Sequence, residues 1–139
     1  MSHVTALDEQ DIFNTVVLHL GQQGGPAIAN NGYCAYRADN GRKCAAGFLI
    51  ADGDYNPRME NKTCQTGEVS PALPGDHIWL IRDLQMAHDN ATRDNNGTDA
   101  VWVDPYNESG IATRLRNVAK TYRLDASKVR EAFPETVTA

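Results

Sequence analysis

Three cysteines, Cys34, Cys44 and Cys64, and two histidines further along, His77 and His88, are the residues whose types suit metal ligation or nucleophilic catalysis. Zinc sites usually show in sequence as ligand pairs a few residues apart, because two side chains from one turn then reach the same ion. No Cys-x-x-Cys or His-x-x-x-His pair is present. His77 and His88 are eleven residues apart; on one helix, at ~1.5 Å rise per residue, they stand ~16 Å apart and cannot share an ion. The expectation is no metal and no cofactor, with Cys34 and Cys44 pointing into the core as small apolar residues. A nucleophilic Cys34 or Cys44 with His77 or His88 as its base stays open, because such partners meet in the fold and not in sequence. Asp52, Asp54 and Glu60 have the chemistry of general acids and bases, yet carboxylates around Gly53 are the ordinary make-up of a solvated turn. Gly24-Gly25-Pro26 lacks the Lys-Ser or Lys-Thr and the helix start of a phosphate loop. The balance is against an enzyme.

A second constellation is basic. Residues 1–100 carry seven basic and thirteen acidic side chains, whereas 109–130 carry six basic and one acidic. Within the latter, Asn117 to Phe133 resembles a helix-turn-helix, with Ala119, Leu124 and Val129 at its apolar positions. Ser127, Lys128, Arg130 and Glu131 would then face the major groove, and Arg114, Arg116, Lys120 and Arg123 the phosphates. Arg123 stands where glycine is usual, and Pro134 limits the second helix to about two turns. The alternative is a helical hairpin that closes the core and leaves its basic side chains in solvent.

These groups need elements to position them. Ile12, Phe13, Val16, Val17 and Leu20 form the apolar stripe of a helix over about 8–20, ended by Gly21, Gly24, Gly25 and Pro26. Tyr33–Arg37 and Arg42–Ala45 flank Asn40-Gly41, a pairing that predicts a β-hairpin because both turn residues tolerate positive φ. Ala46–Ile50 reads as a short apolar helical turn, and 56–74, punctuated by glycine and proline, as irregular. Asp76 is placed as the N-cap of a helix reaching about Asn90, with Trp79 or Ile78 and then Ile81, Leu84 and His88 inward. Residues 94–97 form a loop, and 100–103 a strand or a lead-in to Pro105. Ile111, Leu115, Val118 and Tyr122 define another helix, and a short one follows from Asp125 to Pro134. The expected class is α+β: three main helices and a small antiparallel β-hairpin in one domain, ordered over 7–134.

Composition bounds the rest. At 139 residues with a net charge of −5, 41% hydrophobic and 22% charged residues, the chain has the make-up of one acidic globular domain. The opening residues carry no basic patch followed by an apolar run, and no apolar stretch approaches a membrane span, so a cytoplasmic address without a membrane partner is expected. The odd number of cysteines suits a reducing compartment.

Cys34-Ala35-Tyr36-Arg37 and Gly41-Arg42-Lys43-Cys44-Ala45-Ala46-Gly47-Phe48-Leu49-Ile50, followed by Asp52, Tyr55, Pro57, Met59 and Glu60, resemble a family of small uncharacterised proteins encoded by phages, prophages and bacteria. The likeness extends to the helix before it and to Leu84-Gln85-x-x-His88-Asp89. It implies a phage-like setting in a bacterial cytoplasm and transfers no catalytic residues. In that setting a small acidic chain is expected to bind a host protein or complex, host defence machinery included, with nucleic acid as the lesser alternative. Tyr36, Arg37, Arg42, Lys43 and Tyr55, near the expected hairpin, are the candidate contact residues; packing of the tyrosines and an Arg37–Asp52 pair is the structural alternative.

Overall fold

Helix α1 (Glu9–Gln23) begins where Asp8 accepts the backbone N–H of Asp11 at 2.8 Å and ends where Gly24, at φ +85°, turns the chain out of the helix. The computed structural model describes residues 8–29, 34–91 and 100–135. Four further helices follow within them: α2 (Ala45–Leu49), α3 (Ile78–Ala91), α4 (Ile111–Tyr122) and α5 (Ser127–Ala132). The stretch between α2 and α3 is irregular, relieved by 3-10 turns at Asp52–Asp54, Pro57–Met59, Ser70–Ala72 and Gly75–His77. The last runs into α3, so Asp76 lies inside a 3-10 turn and caps nothing.

Helix α3 packs on α2 and α4, and α1 on α5, around one apolar cluster. The stripes that define the helices in sequence face it: Ile12, Phe13, Val16, Val17 and Leu20 of α1 are fully buried, as are Ile81, Leu84 and Leu115. Each such side chain contributes about 1.5–3 kcal/mol on burial, so these faces dominate stability. Where α1 crosses α5, a Cβ on Gly21 would lie 2.6 Å from that of Ala132, so the crossing needs glycine. At the other end of α1, Gln10 donates to the Asp125 carbonyl at 2.9 Å and accepts the Asp125 N–H at 2.8 Å, tying the start of α1 to the turn before α5.

The expected β-hairpin is not formed, and the class is all-helical: among the described residues there is no strand and no sheet, only the isolated antiparallel bridges Ile28–Cys34 and Arg37–Lys43. The turn at Gly41 is real, with φ +90° and its N–H donated to Ala38. A ladder does not grow from it because other groups take the backbone. The N–H groups of Tyr36 and Arg37 donate to the two oxygens of Glu60, at 2.9 and 3.1 Å. Cys44, instead of extending a strand, caps α2 by accepting the Gly47 N–H on its sulfur at 3.3 Å. A side chain at Gly47 would collide with the Tyr36 carbonyl, so glycine is what lets α2 close over this segment. Tyr33, the first residue of the expected hairpin, and the loop at 94–97 lie outside the described residues. Residues 100–103 form no strand; Trp102 bonds back through its N–H to Gly24 and through Nε1 to the Leu20 carbonyl at 2.8 Å. Among the described residues, no helix is long and apolar enough to cross a membrane.

Candidate functional site

A cleft of about 850 Å³ opens between helix α3 and two loop segments, 34–36 and 61–65. Arg82, Gln85, Met86 and Asp89 form its helical wall, since spacings of three, four and seven residues place side chains on one face. The opposite wall is held in place by the residues that stand out in sequence. Glu60 gathers the N–H groups of Tyr36 and Arg37 and the Tyr55 hydroxyl, the last at 2.6 Å. The Tyr36 hydroxyl donates to the Lys62 carbonyl, and its ring is buried, which pushes its pKa up. Burial, followed by the Glu60 hydrogen bond, pushes the Tyr55 hydroxyl up to about 12. Arg37 bonds the Ile50 carbonyl at 2.7 Å and Asp52 at 2.8 Å, with its guanidinium 4.6 Å from the centre of the Tyr55 ring. Arg42 reaches the carbonyls of Pro26 and Ala100, while the Lys43 N–H donates to Gln23 and its ammonium approaches Asp52 at 3.8 Å. Of the five candidate contact residues Tyr36 lines the cleft, and the polar groups of all five are engaged by other parts of the chain.

Beneath the cleft, Cys34, His88 and Asp89 converge, with one ligand-type atom from each within 4.8 Å of the others. The hydrogen bonds decide what this cluster can do. A backbone N–H can only donate, so the 3.0 Å contact from Ala27 N–H makes His88 Nε2 an acceptor. The proton of the neutral ring is then on Nδ1, which donates to Asp89 at 2.8 Å. Asp89 is held by Gln85 at 2.7 Å, and Gln85 in turn accepts the Ala46 N–H at 2.9 Å. His88, fully buried, thus ties the 25–27 segment through α3 to α2. Using Nε2 as a base for Cys34 would break the Ala27 bond. A cation on Nδ1 would move the ring proton to Nε2 and set it against the Ala27 N–H.

The other thiols are equally structural. Burial pushes the Cys44 thiol well above its ordinary value and the Cys64 thiol up, whereas an activated nucleophile needs the reverse. None of the three cysteines forms a disulfide. His77 stands in the 3-10 turn before α3, on which His88 lies near the far end.

The basic segment has the outline of a helix-turn-helix: α4 and α5 joined by a turn that Arg123 begins in the left-handed conformation, φ +57°. Its second helix has six residues and turns Val129 into the core. Arg116 and Arg130 both bond Glu135 at 3.2 Å, Lys128 bonds Glu131 at 3.0 Å, and Arg114 donates to the Ser109 carbonyl at 3.0 Å. Lys120 and Arg123 are exposed.

What sequence reasoning missed is the outer face of α3. Of the two residues expected to face inward at the start of this helix, Ile78 packs against the core whereas Trp79 is 57% exposed, and Met86 is 49% exposed. Two large apolar residues seven apart, off the stripe of Leu80, Ile81, Leu84 and His88, are the sequence signal for a second face. Asp89 enters the sequence reading only as part of a resemblance and without a role, because its approach to Cys34 arises only in the fold. The chain matches no known protein family, no curated protein and no solved structure.

Proposed function

We propose that this chain is a non-enzymatic binding protein of phage or prophage type, which occupies a host protein or complex in the bacterial cytoplasm by taking one of its segments into the cleft beside α3. The cleft carries the reading: Arg82, Gln85, Met86 and Asp89 face the 61–65 loop across a concavity that mixes apolar surface with polar groups able to fix a bound segment. Of the groups that catalysis would need, His88 is engaged through both ring nitrogens and Cys44 and Cys64 are buried. Binding of nucleic acid through Arg114, Arg116, Lys120, Arg123, Lys128 and Arg130 is the lesser reading, because three of these cations already pair with Glu131 or Glu135 on an acidic chain.

The test uses tagged wild type and Thr63→Arg as baits in bacterial host lysate, with and without nuclease, followed by mass spectrometry. Thr63 is exposed on the cleft wall, and arginine there fills the cleft without touching the core. A stoichiometric protein that resists nuclease and is lost with Thr63→Arg supports the reading. Equal capture by both baits, or recovery of nucleic acid alone that falls away at raised salt, overturns it.

A further inference from the structure

The outer face of α3 carries Trp79, Arg82, Asp83, Met86 and Asn90, opposite the buried Leu80, Ile81, Leu84, Ala87 and His88. Its order is apolar, positive, negative, apolar, and that order maps onto itself when a second α3 is laid antiparallel about a twofold axis between Arg82 and Asp83. Trp79 then meets Met86 of the other copy and Arg82 meets Asp83, each contact occurring twice, as an isologous interface requires. We propose that this face joins two copies of the chain.

The surroundings supply the second half of the fit. Beside Met86, a groove of about 240 Å³ runs between α3 and α4, lined by Asp83, Ala87 and Asn90 on one side and Asn117, Val118 and Thr121 on the other. Trp79 lies seven residues from Met86, or ~10 Å along the axis, so in the antiparallel arrangement each indole arrives at the partner's groove. The indole is already placed: Arg82 stacks on it with its guanidinium 4.8 Å from the ring centre and is itself held by Asp83 at 2.7 Å. An ordered, half-exposed tryptophan next to an arginine is the composition that dominates interface energetics. In the dimer each Arg82 lies between two carboxylates and each Asp83 between two guanidinium groups. This face shares Arg82 and Met86 with the helical wall of the cleft, but the two readings are tested apart, since Thr63 stands on the cleft's far wall and off this face.

Sedimentation equilibrium across a roughly hundredfold concentration range reads the proposal directly. Wild type should pass from monomer to dimer. Arg82→Asp sets two aspartates against the partner's Asp83, and Asp83→Arg sets two arginines against the partner's Arg82, so each variant alone should show a dissociation constant raised at least about tenfold. Mixed one to one, the two should recover a heterodimer, because both cross contacts are then opposite in charge. If Asp83→Arg loses its fold along with its Tyr122 bond, as circular dichroism would reveal, Asn117→Arg serves instead: it fills the groove from α4 and should leave a folded monomer. Wild type that stays monomeric throughout overturns the proposal, as does a dimer indifferent to Arg82→Asp and Asn117→Arg, or folded charge variants that fail to pair on mixing.

Discussion

Replacing His88 with leucine isolates the hydrogen bonds this buried ring makes from the space it fills. Leucine restores most of the apolar volume but cannot accept the Ala27 N–H, which then lies in the core with no acceptor. A buried donor left unmade costs ~1–3 kcal/mol. The ring's edge contact with Trp102, centroids 6.0 Å apart, adds a loss of ~0.5 kcal/mol or more. Asp89 loses one donor but is part-exposed and keeps Gln85, so water offsets much of that change. The sum is about 1.5–3.5 kcal/mol, a fall in Tm of roughly 6–14 °C at ~4 °C per kcal/mol for a chain of this size. Urea unfolding followed by circular dichroism gives the free energy, and amide exchange at Ala27 gives the local effect. Leucine should lower the first and deprotect the second. A variant within ~0.5 kcal/mol of wild type whose Ala27 amide stays protected would refute the assignment of His88 as a structural tie and return its ring to the candidates for chemistry.

Gly47→Ala should destabilise by several kcal/mol or prevent folding, since its methyl group meets the Tyr36 carbonyl; thermal melts and expression yield report this, and a near-neutral result would mean α2 does not close over 34–37. Burial lowers the pKa of His19, so the unfolded chain takes up more protons than the folded one as pH falls through 6.5; stability from this residue is complete above that pH and declines below it. His19→Gln, which keeps a donor for the Lys43 carbonyl, should flatten the urea midpoint between about pH 7 and 5. Native-state alkylation near neutral pH should label Cys44 and Cys64 only at the rate of unfolding, and rapid labelling of either would reverse their placement as inert core residues. Glu60→Ala should cost about 2–4 kcal/mol, because two backbone N–H groups and the Tyr55 hydroxyl converge on its carboxylate, and urea denaturation would show it.

The helices were legible because their signal is local. Stripes such as Ile12 to Leu20 and Ile111 to Val118 repeat at the helical period, and that period survives whatever the rest of the chain does. The hairpin was misread because its evidence was also local: Asn40-Gly41 does make a turn, but a ladder needs partners for the flanking N–H groups, and Glu60, more than twenty residues on, takes two of them. The same distance hid the purpose of Tyr36, Arg37 and Tyr55, whose polar and aromatic types suggest contacts with another molecule until Lys62, Ile50 and Glu60 are seen to use them. The cleft was invisible for a related reason: its walls come from α3 and from a stretch without periodicity, and concavity leaves no mark on either.

The two-way bond between Gln10 and Asp125 spans 115 positions of the chain. At ~5–20 residues per second, a ribosome needs roughly 6–23 s between making one partner and the other. Throughout that interval α1 can form, but the α5 surface that packs against it does not yet exist. The nascent chain therefore leaves the part of the α1 stripe that faces α5 uncovered until α5 emerges, although α2 and α3 can already meet the rest, which makes the α1–α5 contact a late step of folding and α1 a segment a chaperone would hold.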